Sequence, residues 1–152
     1  MILRWLLATL HLLALGIGLG AVWSRGRALR SELDGRELRR VFRVDALWGA
    51  AAALWVGTGV WRLLADLEKP TTYYMQNHVF LTKMGLLLVI LVLEVWPMVT
   101  LMRWRRSFAG GEPVDTRAGP RLARISFVQA WVVVLMVLAA TAMARGIGGP
   151  AK

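Results

Sequence analysis

Between Asn77 and Arg106 the chain reads NHVFLTKMGLLLVILVLEVWPMVTLMRWRR, an apolar run long enough to cross a bilayer that carries Lys83 and Glu94 inside it. At about 100° per residue, the 11 positions from Lys83 to Glu94 bring the two within roughly 20° of each other on one helix face. Leu87 and Ile90 continue that face. An ionisable group in hydrocarbon costs several kcal/mol unless it is paired or turned toward a polar interior, so this face must look into protein. Other segments are expected to supply the partners, and Glu94 is expected to be buried and paired.

Three further apolar runs accompany it. With 57% hydrophobic residues in 152, the chain reads as a single all-α integral membrane domain, residues 1–152. The expected architecture is a four-helix transmembrane bundle with spans at about 5–23, 44–64, 78–102 and 125–144. A net charge of +10 would point to nucleic acid in a soluble protein. Here the arginines crowd between the hydrophobic runs, as topology determinants do, so the expected partner is the lipid bilayer and not nucleic acid. Without cysteine there is no disulfide, thiolate metal site or cysteine nucleophile.

The basic start of the first run imitates a signal peptide, but Gly18, Gly20 and Ala21 lead into Trp23 and an arginine cluster, so the segment is expected to be retained. His11, Ala14, Gly18 and Ala21 form a strip of small residues that admits close helix contact or a flat ligand. The plainer reading of His11 is a hydrogen bond to a neighbouring span. From Ser24 to Arg43 a polar connector with seven arginines reads as a solvated topology signal, with Leu29, Leu33 and Leu38 on the membrane surface.

The second span opens with Asp45 and repeats Gly49, Ala53 and Gly57 four apart, the mark of an inner packing helix. Pro70 then stops any helix, and Tyr73 and Tyr74 read as interface anchors. Asn77 is the expected N-cap of the third span, with His78 in its first turn. A surface loop is expected from Ser107 to Pro120. The fourth span sets Gln129, Met136 and Met143 at seven-residue intervals on one face.

Seven arginines in the first long connector and six in the second put both termini outside. In that topology His11, Arg62, His78, Lys83, Met143 and Arg145 share an outer polar layer. Asp45, Glu94 and Gln129, with Arg43 and Arg124, make a second layer toward the cytoplasm, read as a structural network. The outer layer combines a possible axial ligand with cations and small-residue faces, which suits a propionate-bearing porphyrin. No CxxCH is present, so attachment would be noncovalent.

The stretches LHLLALGIGLG, RRVFRVDALWGAAAALWVGTGVWR, HVFLTKMGLLLVILVLEVWPMVTLMRWRR and ISFVQAWVVVLMVLAATAMARG resemble an uncharacterised family of small bacterial four-span membrane proteins, over nearly the whole chain. More distantly, His11, the Arg-rich start of the second span and the His78 to Lys83 spacing resemble the HemJ-type protoporphyrinogen oxidases and the CopD-like membrane proteins. That resemblance implies a bacterial inner-membrane redox protein binding haem b. His11 would be its axial metal ligand and Lys83 a second ligand or a catalytic proton-handling group. Arg62, Arg145 and His78 would lie around the cofactor, and a porphyrin would be the substrate. The CopD-like alternative implies copper on His11, Met136 and Met143, and a third reading is a non-catalytic structural protein. The small-residue faces of spans one and two leave room for a homodimer.

Overall fold

The computed structural model describes residues 2–64 and 77–145. The expected anchors Tyr73 and Tyr74 and the stop at Pro70 lie outside the described residues. The described residues form four helices, α1 (Ile2–Ala28), α2 (Gly35–Leu64), α3 (His78–Ala109) and α4 (Gly119–Ala144), and one 3-10 turn at Thr116–Ala118.

Local chemistry sets the helix ends. Asn77 caps α3, its side-chain oxygen accepting from the backbone N–H groups of Val79 at 2.9 Å and Phe80 at 3.2 Å. Asp34 does the same for α2, accepting from Arg36 and Glu37. Gly111, at φ 73°, turns the chain after α3, and proline opens the first turn of α4.

Helix α1 packs on both α2 and α4, and α3 packs on α4, giving the order α2, α1, α4, α3. Inward positions follow alternating steps of three and four residues, the spacing of a bundle seam. On α1 these are His11, Ala14, Gly18, Ala21, Arg25 and Ala28; on α3 they run Phe80, Lys83, Leu87, Ile90, Glu94, Pro97, Leu101 and Trp104. The 11-residue interval between Lys83 and Glu94 is four, three and four steps along that seam. Helices α1 and α4 come close where Gly26 meets Phe127: a Cβ at residue 26 would lie 3.0 Å from the ring.

Two apolar clusters form the core. One gathers Ala14, Val22, Trp48, Trp55, Ile90, Val133 and Met136, and the other Ala28, Leu29, Leu38, Val41, Leu101, Trp104 and Leu122. Leu29 and Leu38, expected on the membrane surface, are therefore core residues, and Leu33 packs against them. The expected connector from Ser24 to Arg43 is mostly helix, because α1 continues to Ala28 and α2 begins at Gly35. The expected loop from Ser107 to Pro120 is likewise shortened, α3 running on to Ala109.

Among the described residues three helices, α1, α3 and the segment ending in α4, are long and apolar enough to cross a membrane. The uncharged stretch of α2, Ala46 to Trp61, has 16 residues, against about 20 for a full crossing. Its small-residue stripe is placed differently from expectation. Gly49, Ala53 and Gly57 are exposed, and the two glycines have no atom within 4 Å of a Cβ position. The contact face of α2 instead presents Trp48, Ala51, Trp55 and Thr58, all buried. Tryptophan filling the groove over Gly18 replaces the expected small-on-small packing.

Candidate functional site

The bundle contains two polar layers, at His11 and Arg25, which are 14 residues apart on α1 and so about 21 Å apart along its axis. The Arg25 layer lies between the two apolar clusters, and its guanidinium is completely buried. Nε donates to Ser126 Oγ at 3.0 Å; Nη1 donates to Asp45 Oδ1 and Glu94 Oε1, each at 2.8 Å; Nη2 donates to Glu94 Oε2 at 2.9 Å and Gln129 Oε1 at 2.8 Å. A guanidinium has five N–H groups, and all five are matched. Gln129 closes the ring by donating from Nε2 to Glu94 Oε2 at 2.7 Å. Arg105 reaches Asp45 from the surface at 3.5 Å, supplying a second positive charge against the two carboxylates.

One side chain of α1 thus engages α2, α3 and α4 together. Asp45, Glu94 and Gln129 do meet in one layer, as expected, and Glu94 is paired. The cation at its centre was misassigned: Arg43 and Arg124 are exposed, while Arg25, read as a solvated topology signal, is the hub. A signal for it existed. Arg25 occupies the next step after Ala21 in the strip that begins at His11.

At the His11 layer, Nδ1 lies 2.9 Å from Thr58 Oγ1. That hydroxyl is 2.8 Å from the Leu54 carbonyl and 3.1 Å from that of Trp55, to which it donates its proton. It therefore accepts from Nδ1–H. The ring stacks on Trp55, with centroids 5.6 Å apart and planes at 29°. Gly59 gives it room, since a Cβ there would lie 3.1 Å from His11 Cε1. The plain reading of His11, a hydrogen bond to a neighbouring span, is met by its contact with Thr58 of α2.

Two cavities flank this ring. The larger, about 440 Å³, is bounded by Ala8, His11, Leu12 and Leu15 of α1, by Val137, Ala140, Thr141, Met143 and Ala144 of α4, and by Trp55, Arg62, Lys83 and Met136. The smaller, about 100 Å³, lies between α2 and α3. His11, Trp55, Lys83 and Met136 line both. Of the residues singled out in the sequence, His11, Lys83, Arg62, Met136 and Met143 thus come together at one cavity. His78 and Arg145 are exposed at the start of α3 and the end of α4 and line neither cavity. Trp55, which sequence reasoning passed over, is buried, and its indole N–H has no acceptor among the described residues. Thr58 was also missed, although it stands one seam step from Trp55.

No group of three His, Asp or Glu side chains able to hold a metal occurs among the described residues. What the larger cavity offers is one imidazole, two thioethers, two cations and a wall of small apolar side chains. Its volume falls in the range of about 300–1,000 Å³ typical of ligand pockets. The donor set fits haem b: a Nδ1-anchored histidine is the usual form of an axial ligand, and cations suit propionates.

The model of a family described as predicted membrane protein (DUF2214) matches residues 3–148. No curated protein and no solved structure matches the chain.

Proposed function

We propose that this chain, which belongs to the DUF2214 family of predicted membrane proteins, is a haem-b-binding redox protein of the bacterial inner membrane. The observation that carries the reading is the Thr58-anchored His11 at the wall of a cavity that also holds Arg62 and Lys83. In this reading α2 is a fourth span, both termini lie outside, and the His11 layer occupies the outer half of the bilayer. The Arg25 layer then faces the arginine-rich cytoplasmic side.

His11 would bind the iron through Nε2, with Thr58 fixing the ring and Trp55 supporting its plane. Arg62 and Lys83 would neutralise propionates, and Lys83 would also hold or pass a proton at its amine. The bound group would supply one-electron chemistry that no side chain of this protein can, with a porphyrinogen as the proposed substrate. His78 and Arg145 have no part in this arrangement. The outward stripe Gly49, Ala53 and Gly57 leaves α2 the natural face for a second copy.

Copper is the second reading, favoured by the presence of His11, Met136 and Met143 at one cavity. Optical spectra and metal analysis of protein purified from membranes separate the two. The haem reading expects a Soret band and iron at about one per chain, whereas stoichiometric copper without a Soret band would replace it. Neither metal would leave a structural role.

A further inference from the structure

The outward groove between α1 and α4 carries positive charge that neither polar layer uses. At about 100° per residue, Gly16, Trp23, Arg27 and Arg30 fall within about 60° of one another on α1, and Arg124 and Trp131 within about 20° on α4. All six are exposed. Phe127 of α4 joins the two flanks: its ring lies edge-on to Trp23 with centroids 5.0 Å apart, beneath the Arg30 guanidinium at 4.5 Å, and against the backbone of α1 at Gly26. That stack holds Arg30 over the groove. Arg27 stands one turn before Arg30, and Arg124 one turn before Phe127, so three guanidinium groups gather at one end of the groove. They form no ion pair among the described residues. Farther along, α1 is bare at Gly16, where a Cβ would meet no atom within 4 Å, and α4 presents the exposed Trp131 and Leu135.

We infer that this groove binds an anionic phospholipid from the leaflet at the arginine-rich end, its phosphate on Arg27, Arg30 and Arg124 and an acyl chain along Gly16. Guanidinium forks match phosphate oxygens, and basic clusters at a membrane edge favour anionic head groups. An indole such as that of Trp23 is at home at head-group depth. Gly16 lies 11 residues from Arg27, about 16 Å along α1, which is acyl-chain depth. The groove shares none of these residues with the two cavities at His11, so its occupancy does not depend on haem.

The test is native mass spectrometry of the full chain in nonionic detergent, titrated with dioleoyl phosphatidylglycerol or with phosphatidylcholine of the same chains. One phosphatidylglycerol per chain is expected, with phosphatidylcholine held at least about tenfold more weakly. Arg27→Gln, Arg30→Gln and Arg124→Gln combined should erase that preference, and Gly16→Phe, which fills the groove, should weaken phosphatidylglycerol binding. The same charge removed on α2 and α3, by Arg43→Gln, Arg103→Gln and Arg106→Gln combined, should leave the preference intact. Equal affinity for the two lipids, a preference that survives in the groove variant or is lost equally in the α2 and α3 variant, unchanged binding in Gly16→Phe, or displacement by equimolar inorganic phosphate would each overturn the proposal.

Discussion

Arg25 grips Glu94 with both arms of its guanidinium, Nη1 to Oε1 at 2.8 Å and Nη2 to Oε2 at 2.9 Å, across an interface between the first and third helices. Removing the cation would strand two largely buried carboxylates, and breaking a buried pair in this way costs about 3–5 kcal/mol. Arg25→Gln should therefore lower thermal stability in detergent sharply. Arg25→Lys should fail to restore it, because a point-like ammonium cannot replace the five-donor fork. Near-native melting of the lysine variant would show that charge alone matters here.

Thr58→Val removes the acceptor of His11 Nδ1 while conserving side-chain volume. Leaving a buried donor unpaired costs about 1–3 kcal/mol, and the imidazole loses its fixed tautomer. Nitrogen NMR of labelled histidine should show a protonated Nδ1 in the wild type and a tautomer mixture in the variant. The same single tautomer in both proteins would dismiss Thr58 as the anchor.

Outside the helical core, Asp115 is held at about 2 by the Arg117 guanidinium and then by the Arg117 backbone N–H. A depressed carboxylate contributes stability that is present above its ordinary value of 3.8 and is lost as pH falls through the folded value. The 3-10 turn capped by Asp115 should thus persist at pH 3 and give way near pH 2. A carboxyl titration followed by carbon NMR checks this, with Arg117→Ala expected to move the midpoint back toward 3.8.

The arginine asymmetry between connections predicts that both termini lie outside. A C-terminal alkaline phosphatase fusion should be active and a C-terminal green fluorescent protein fusion dark when exported unfolded by the general secretion route. The reverse pattern would invert the bundle and place the His11 layer on the cytoplasmic side.

Much of the fold was legible because hydrophobic run length and charge placement report helices directly. Asn77 as a cap and Glu94 as a paired residue followed from local rules and from the cost of charge in hydrocarbon. Arg25 was not legible by composition, since an arginine at the end of an apolar run looks the same whether it snorkels or turns inward; only the three-four spacing from His11 distinguishes the two. Gly49, Ala53 and Gly57 misled for a related reason: small residues permit close packing without stating which face packs. Tryptophans at positions 48 and 55 decided that, and bulk won over smallness. At the His11 layer, His78 and Arg145 were grouped by depth, His78 also by the resemblance that its spacing to Lys83 carries, and depth does not specify direction around a helix.

The central claim is that His11 holds a haem iron at the larger cavity. It is tested most directly by the absorption spectrum of protein purified from haem-sufficient cells, beside that of His11→Ala. The account predicts a Soret band in the wild type that is lost or strongly shifted in the variant, with the variant still folded by circular dichroism. A wild type with no Soret band, or a variant whose band is unchanged, would contradict it.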